Sequence, residues 1–238
     1  MLAAVRLIII FCTINITTVI SAIICIVIPF SAAKTYFIAS FFSRLTAKLI
    51  GLKIEVRGLE NITSANPAII ISNHQSYLDV ITCTHIVPKN TVSVGKKSIL
   101  FIPIYGLLYW LAGNILIDRK NTKSAIKTMN HIATIINKKH LSVWIMAEGT
   151  RNQAINLLPF KKGPFLTAMA AGVPIIPVAI SNYQGTINFN RYKMGKVIVE
   201  ALPPINTSYL QKSDVKELSI NTKNLIENKV KLLTNELL

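Results

Sequence analysis

The 238-residue chain is short of acid. It carries 10 Asp and Glu against 26 Lys and Arg, a formal charge of +16, and the first carboxylate side chain appears only at Glu55. A surface of this sign attracts polyanions: nucleic acid, anionic membrane or phosphorylated small molecules. Nucleic acid is disfavoured, because no basic helix, zinc spacing or clustered RNA-binding aromatics accompany the charge. Cysteine is scarce too. Cys12, Cys25 and Cys83 are odd in number and far apart, which excludes a disulfide framework or a thiolate metal set and suits a reducing compartment. No serine stands in a Gly-x-Ser-x-Gly setting and no cysteine in a reactive one, so a covalent acyl-enzyme is disfavoured.

Charge is wholly missing from Leu7 to Phe30, a run of 24 residues dominated by Leu, Ile, Val, Phe and Ala. That length matches the ~30 Å hydrocarbon core of a bilayer and exceeds the apolar region of a cleaved signal peptide. A retained anchor is expected, crossing the membrane or embedded in one leaflet. From Tyr36 to Ile50, the apolar Tyr36, Phe37, Phe41, Phe42, Leu45 and Leu49 accompany Arg44 and Lys48. An amphipathic helix follows, with aromatics on one side and bases on the other, suited to the headgroup region. The bias of Lys34, Arg44 and Lys48 over Arg6 puts the C-terminal side of a spanning helix in the cytoplasm.

Beyond residue 50 short apolar runs alternate with helical stretches. Strands are expected near 53–58, 67–72, 91–95, 114–118, 141–147, 174–181 and 196–202. Runs such as "AIIIS", "LSVWIM" and "PIIPVAI" are apolar throughout, as in a sheet covered on both sides. Asn121 or Thr122 caps a helix carrying Ala125, Met129, Ile132 and Ile136 on one face. Ser213 or Asp214 opens a last helix, expected to line Leu218, Leu225, Leu232, Leu233 and Leu237 along one side. The fold class is α/β: a mostly parallel sheet of about seven strands, helices on both faces, behind an N-terminal hydrophobic membrane-associated helical segment. Residues 1–50 form the anchor and amphipathic helix, and 51–238 one catalytic-size domain.

Polar residues collect where strands end. "AIIIS" runs into Asn73 and His74, "TVSVG" into Lys96 and Lys97, "NILID" into Arg119, and "LSVWIMA" into Glu148, Gly149, Thr150 and Arg151. Ligand crevices of α/β sheets lie at these carboxyl ends. His74 and Asp79 are five residues apart, about 500° of helix, so helix alone cannot bring them together. A loop that did would give a histidine base with a carboxylate behind it. Each part alone has a plainer reading: a helix cap for the pair, a Glu–Arg turn, a solvated lysine pair, an Asp118–Arg119 surface ion pair. His85, His131 and His140 have no partner pattern. A metal at His74 and Asp79 lacks a third ligand at reasonable spacing.

The ordered blocks "NHQSYLD", "VGKKSILFIPIYG", "GNILIDR", "AEGTR", "LLPFKKG" and "AGVPIIPVAI" resemble the 1-acyl-glycerol-3-phosphate acyltransferases, or lysophosphatidic acid acyltransferases, over roughly Leu52 to Ile205. The resemblance implies a bacterial enzyme of the cytoplasmic (inner) membrane, its catalytic domain on the cytoplasmic side. His74 and Asp79 would be its catalytic pair. Lys96, Arg119, Glu148, Gly149, Thr150 and Arg151 would bind the substrate phosphate. Its substrates would be lysophosphatidic acid and an acyl-carrier-protein or CoA thioester, with membrane lipids as partners, no cofactor and no metal. The family usually has Phe-Pro before Glu-Gly-Thr-Arg, and here Met146-Ala147 stands there. Losing the fixed φ of proline loosens the turn. Two alternatives stay open: the same fold acting on another lysophospholipid or glycerol-3-phosphate, and a non-enzymatic protein that binds anionic lipid.

Overall fold

The computed structural model describes residues 1–28, 31–154 and 156–238. Its helices are α1 (Leu2–Val27), α2 (Ala32–Ile50), α3 (Leu59–Thr63), α4 (Asp79–Cys83), α5 (Tyr105–Leu111), α6 (Thr122–Lys139), α7 (Gly163–Ala171) and α8 (Val215–Asn235). The strands are β1 (Leu52–Arg57), β2 (Ile69–Ser72), β3 (Thr91–Lys96), β4 (Ile115–Ile117), β5 (Ser142–Met146), β6 (Ile175–Ile180) and β7 (Gly195–Ala201). All seven expected strands form. They make one sheet in the order β1-β7-β6-β2-β5-β3-β4, antiparallel at β6–β7 and parallel elsewhere.

Alternation along the apolar strands explains their composition. Ile69 and Ile71 of β2 and Val143 and Ile145 of β5 point into a core shared with Ile132 and Ile136 of α6, Phe165 of α7 and Ile226 and Leu233 of α8. The intervening Ile70 and Trp144 point into a second core, with Ala47 and Ile50 of α2, Ile62 of α3 and Ile81 and Cys83 of α4. β2 and β5 thus each feed a core on both sides and have no solvent face.

Two helices turn a different face inward than their composition suggests. In α8 the buried stripe is Val215, Ser219, Thr222, Ile226, Val230 and Leu233; of the expected leucines, Leu233 is buried, Leu218 and Leu237 pack partly buried against the core, and Leu225 and Leu232 are exposed. The leucines recur every seven residues, but small and β-branched side chains let the backbone come close to the sheet. In α2, Ser40, Ser43, Thr46, Ala47 and Ile50 are buried. Phe37, Phe41, Leu45 and Leu49 are exposed, and Arg44 and Lys48 are exposed with them. Aromatics and bases therefore share one surface rather than opposing each other. Phe37, Phe41, Arg44, Leu45 and Lys48 line a common groove with Lys89, whose ammonium lies 5.0 Å from the Phe37 ring centre.

Helix α1 is long and apolar enough to cross a membrane. Its inward stripe is polar or small, namely Arg6, Thr13, Thr18, Ser21 and Cys25, which permits close packing on α2. Near its start, the Arg6 guanidinium donates to the carbonyls of Phe189 (2.5 Å) and Tyr192 (2.6 Å). Near its end, Cys25 packs with Leu108 and Ala112 at α5. Both ends of α1 rest on the globular body.

Candidate active site

Strands β2, β5, β3 and β4 lie side by side and parallel, so their carboxyl ends form one edge. With strands ~4.8 Å apart, four ends span roughly 14 Å. His74 follows β2, Arg151 follows β5, Lys96 closes β3 and Arg119 follows β4.

The chain leaves β2 at Ser72 and forms no regular structure until the turn before α4. Asp79 opens that helix, where its carboxylate points back at the loop. His74 Nδ1 lies 2.6 Å from Asp79 Oδ2, and the same oxygen accepts from the backbone N–H of Gln75 (2.8 Å) and Ser76 (3.0 Å). An oxygen taking two backbone donors holds no proton of its own, so Nδ1–H of His74 must be a third donor. That fixes the tautomer and leaves Nε2 as an acceptor. Nε2 has no hydrogen-bond partner among the described residues, and the side chain is 21% exposed. Asp79 is fully buried. The five-residue gap thus closes through a loop, as the sequence requires.

The loop after β5 grips the peptide of His74 from both sides. Glu148 Oε1 accepts from the His74 N–H (2.9 Å), and the Asn152 N–H donates to the His74 carbonyl (2.7 Å). Glu148 Oε2 accepts from Leu158 N–H (3.0 Å) and the Asn152 amide (3.1 Å). The Glu148 carboxylate is therefore buried and committed to the loop and the His74 backbone. Gly149 takes φ +78°, a left-handed conformation a side chain would strain. Its N–H donates to Met146 O (3.1 Å), and Lys161 N–H donates to Ala147 O (2.9 Å), so the turn closes without proline.

Among the described residues, one cation on this edge has a carboxylate within ion-pair distance. Lys97 lies 4.0 Å from Asp118. Arg119 does not pair with Asp118; its guanidinium donates to the Gly149 carbonyl and so joins the end of β4 to the loop after β5. Arg151 stacks on the Tyr77 ring, 3.6 Å from its centre, beside a cleft of about 380 Å³ lined by Gln75, Ser76, Tyr77 and Asn152. Lys96 and Thr150 are exposed. Among the described residues no three His, Cys, Asp or Glu side chains are grouped to hold a metal ion.

Several contributors escaped the sequence reading. Asn73 bridges to β6 through its amide, donating to Ile180 O (3.0 Å) and accepting from Ile180 N–H (2.9 Å). Gln75 donates to Ser181 O (3.1 Å) and accepts from Tyr183 N–H (3.1 Å). Tyr77 supports Arg151. Adjacency of Asn73 and Gln75 to His74 was the available signal; the partner strand was not legible.

A polar edge on an α/β sheet, with a buried carboxylate fixing one histidine, suits general-base chemistry. A family model described as Acyltransferase matches residues 53–181, more than half of the chain. The chain is 44% identical to the 1-acyl-sn-glycerol-3-phosphate acyltransferase of Escherichia coli K12 over 93% of both chains. Identity to the enzyme of that name from Haemophilus influenzae is also 44%, over 84% of this chain and 83% of that one. The crystal structure of the 1-acyl-sn-glycerophosphate (LPA) acyltransferase of Thermotoga maritima has the same fold, with a TM-score of 0.74, 20% identity and 98% of each chain covered. This chain belongs to the 1-acyl-sn-glycerol-3-phosphate acyltransferase family.

Proposed function

We propose that the protein transfers an acyl group from a thioester, acyl-carrier protein or acyl-CoA, to the free sn-2 hydroxyl of 1-acyl-sn-glycerol-3-phosphate, giving phosphatidic acid for phospholipid synthesis. The observation that carries the mechanism is the bond from His74 Nδ1 to Asp79, which leaves Nε2 without a hydrogen-bond partner among the described residues, on the strand edge that also carries Lys96, Arg119 and Arg151. His74 takes the proton of the acceptor hydroxyl. The oxygen attacks the thioester carbonyl, the C–S bond breaks, and the proton returns to the departing sulfur. Asp79 orients the imidazole and stabilises its charged form. Lys96, Arg119 and Arg151 hold the acceptor phosphate, with the Gly149 and Thr150 turn presenting the loop to it. Arg is suited to a two-pronged grip on phosphate. Glu148 serves this site by fixing the peptide of His74 instead of touching the anion. Holding the phosphate fixes the hydroxyl against the base, an orientation effect that contributes up to ~7–11 kcal/mol.

In this reading residues 1–50 are the membrane-binding unit and 51–238 the acyltransferase domain, at the cytoplasmic face of the inner membrane. The exposed apolar side of α1 and the aromatic and basic surface of α2 enter the leaflet, and the contacts at both ends of α1 favour a helix lying along the body over one crossing away from it.

Assay of His74→Ala with acyl-CoA and lysophosphatidic acid is expected to show kcat down by about 10²–10⁴, the usual worth of a general base. Wild-type turnover in that variant would remove His74 from the role. For Arg151→Ala the acceptor KM should rise roughly 10- to 100-fold, as hydrogen bonds to charged groups contribute about 1.5–3 kcal/mol. An unchanged acceptor KM would place the phosphate elsewhere.

A further inference from the structure

We propose that Tyr183 is a positioning residue for the His74–Asp79 pair, acting through the far oxygen of the carboxylate. Asp79 Oδ2 serves His74 and two backbone N–H groups, while Oδ1 accepts one hydrogen bond, from the Tyr183 hydroxyl at 2.7 Å. Tyr183 is 7% exposed and packs in the core on the α4 side of the sheet. Thr82 Oγ1 lies 2.8 Å from the same phenol oxygen. A phenol has one proton, and it goes to the carboxylate, so in the short contact the donor is Thr82, whose hydroxyl also lies 3.3 Å from Leu78 O and Asp79 O. The result is a relay of one sense: Thr82 to Tyr183 to Asp79, with His74 donating to Asp79 from the other side. Burial, then the negative charge of Asp79, push the Tyr183 phenol well above its ordinary range and keep it a donor. The backbone is fixed as well, since Tyr183 N–H donates to Gln75 and Gln75 donates to Ile180 O and Ser181 O. Through these bonds β6 sets the attitude of the histidine loop.

Two consequences follow for the base. A carboxylate held at both oxygens cannot swing about its Cβ–Cγ bond and lose Nδ1. Its charge is also shared between two side-chain donors, His74 and Tyr183, which limits how tightly it holds the imidazolium. The other ionisable groups around the pair are the buried Cys83 thiol beside Asp79, Glu148 on the His74 N–H, and Arg151 on Tyr77. Among the described residues, none of these groups donates a hydrogen bond to Oδ1.

The inference rests on His74 being the base, and the test separates the two. Purified full-length Tyr183→Phe should lose kcat by about ten-fold with both KM values unchanged. The acid limb of kcat/KM should move to higher pH, because the concentrated charge on Oδ2 favours the imidazolium. Thr82→Val should move the limb the same way by less, and decides alone if Tyr183→Phe does not fold. In an Asp79→Asn background, Tyr183→Phe should add almost nothing. A wild-type rate and pH profile in Tyr183→Phe, or the same fold loss with and without Asp79, would overturn the positioning role. Turnover surviving His74→Ala would overturn the base itself, whatever Tyr183 does.

Discussion

The Glu148 carboxylate accepts from two backbone N–H groups and a side-chain amide, and two of those donors belong to segments that shape the site. Glutamine in its place turns an NH₂ toward at least one buried donor. Glu148→Gln should therefore lose about 1–3 kcal/mol of stability, measured by denaturation in detergent, and kcat with it. Unchanged stability would show that the loop has another anchor. That a loop must join His74 to Asp79 if they meet was legible from their spacing, whereas a catalytic role for the pair came from the family resemblance, since the pair alone reads as a helix cap. The part played by Glu148 was not legible. Side-chain type says that a buried carboxylate needs donors, but only the fold says that they include the His74 peptide N–H. Tyr183 was hidden for the same reason: its partner lies 104 residues away across the sheet.

At the scale of elements the seven strands are readable as apolar runs bounded by polar residues, whereas the inward face of a helix is not always so. Helix α8 gives a direct check. Ile226 is fully buried and Leu232 is 63% exposed. Ile226→Ala should cost about 2–5 kcal/mol, and Leu232→Ala should stay within about 0.5 kcal/mol. Equal losses would restore the leucine stripe as the packed face. The leucines stand out in the sequence because they are large. The face that meets the sheet contains Ser219 and Thr222, whose value is closeness rather than hydrophobicity. The same logic inverts α2, where serines and a threonine pack inward and the phenylalanines are left outside.

The whole molecule is held at its sheet edge by a charged cluster and is tuned by its net charge. Lys196 and Arg57 hydrogen-bond to Glu55, Arg57 also reaches Glu236 beyond α8, and both carboxyls are held below the usual range. A depressed folded-state pKa gives stability that is complete above the ordinary value, near 4.3, and is lost as pH falls through the lower folded value. Wild type should therefore exceed Glu55→Gln in Tm at neutral pH and converge with it in acid; parallel curves would mean the cluster contributes no pH dependence. With 26 bases against 10 acids, binding to anionic vesicles should weaken as salt rises, read by flotation. Salt-independent binding would assign the attachment to apolar insertion alone. The charge was plain from composition. Strand order, which brings four carboxyl ends together, was not, because no local pattern reports which strands are neighbours.

Helix α1 touches the body at Arg6 and again at Cys25, about 28 Å apart at 1.5 Å per residue. An element fastened at two such points cannot pivot independently of the catalytic edge. In the proposed arrangement, with the outer side of α1 in lipid, the height of His74 above the bilayer is a constant of the molecule. Encounter with the acceptor becomes a search in two dimensions, and the saturating variable is the mole fraction of lysophosphatidic acid in the surface. Diluting that surface with inert detergent should slow turnover even when the bulk concentration of substrate is unchanged.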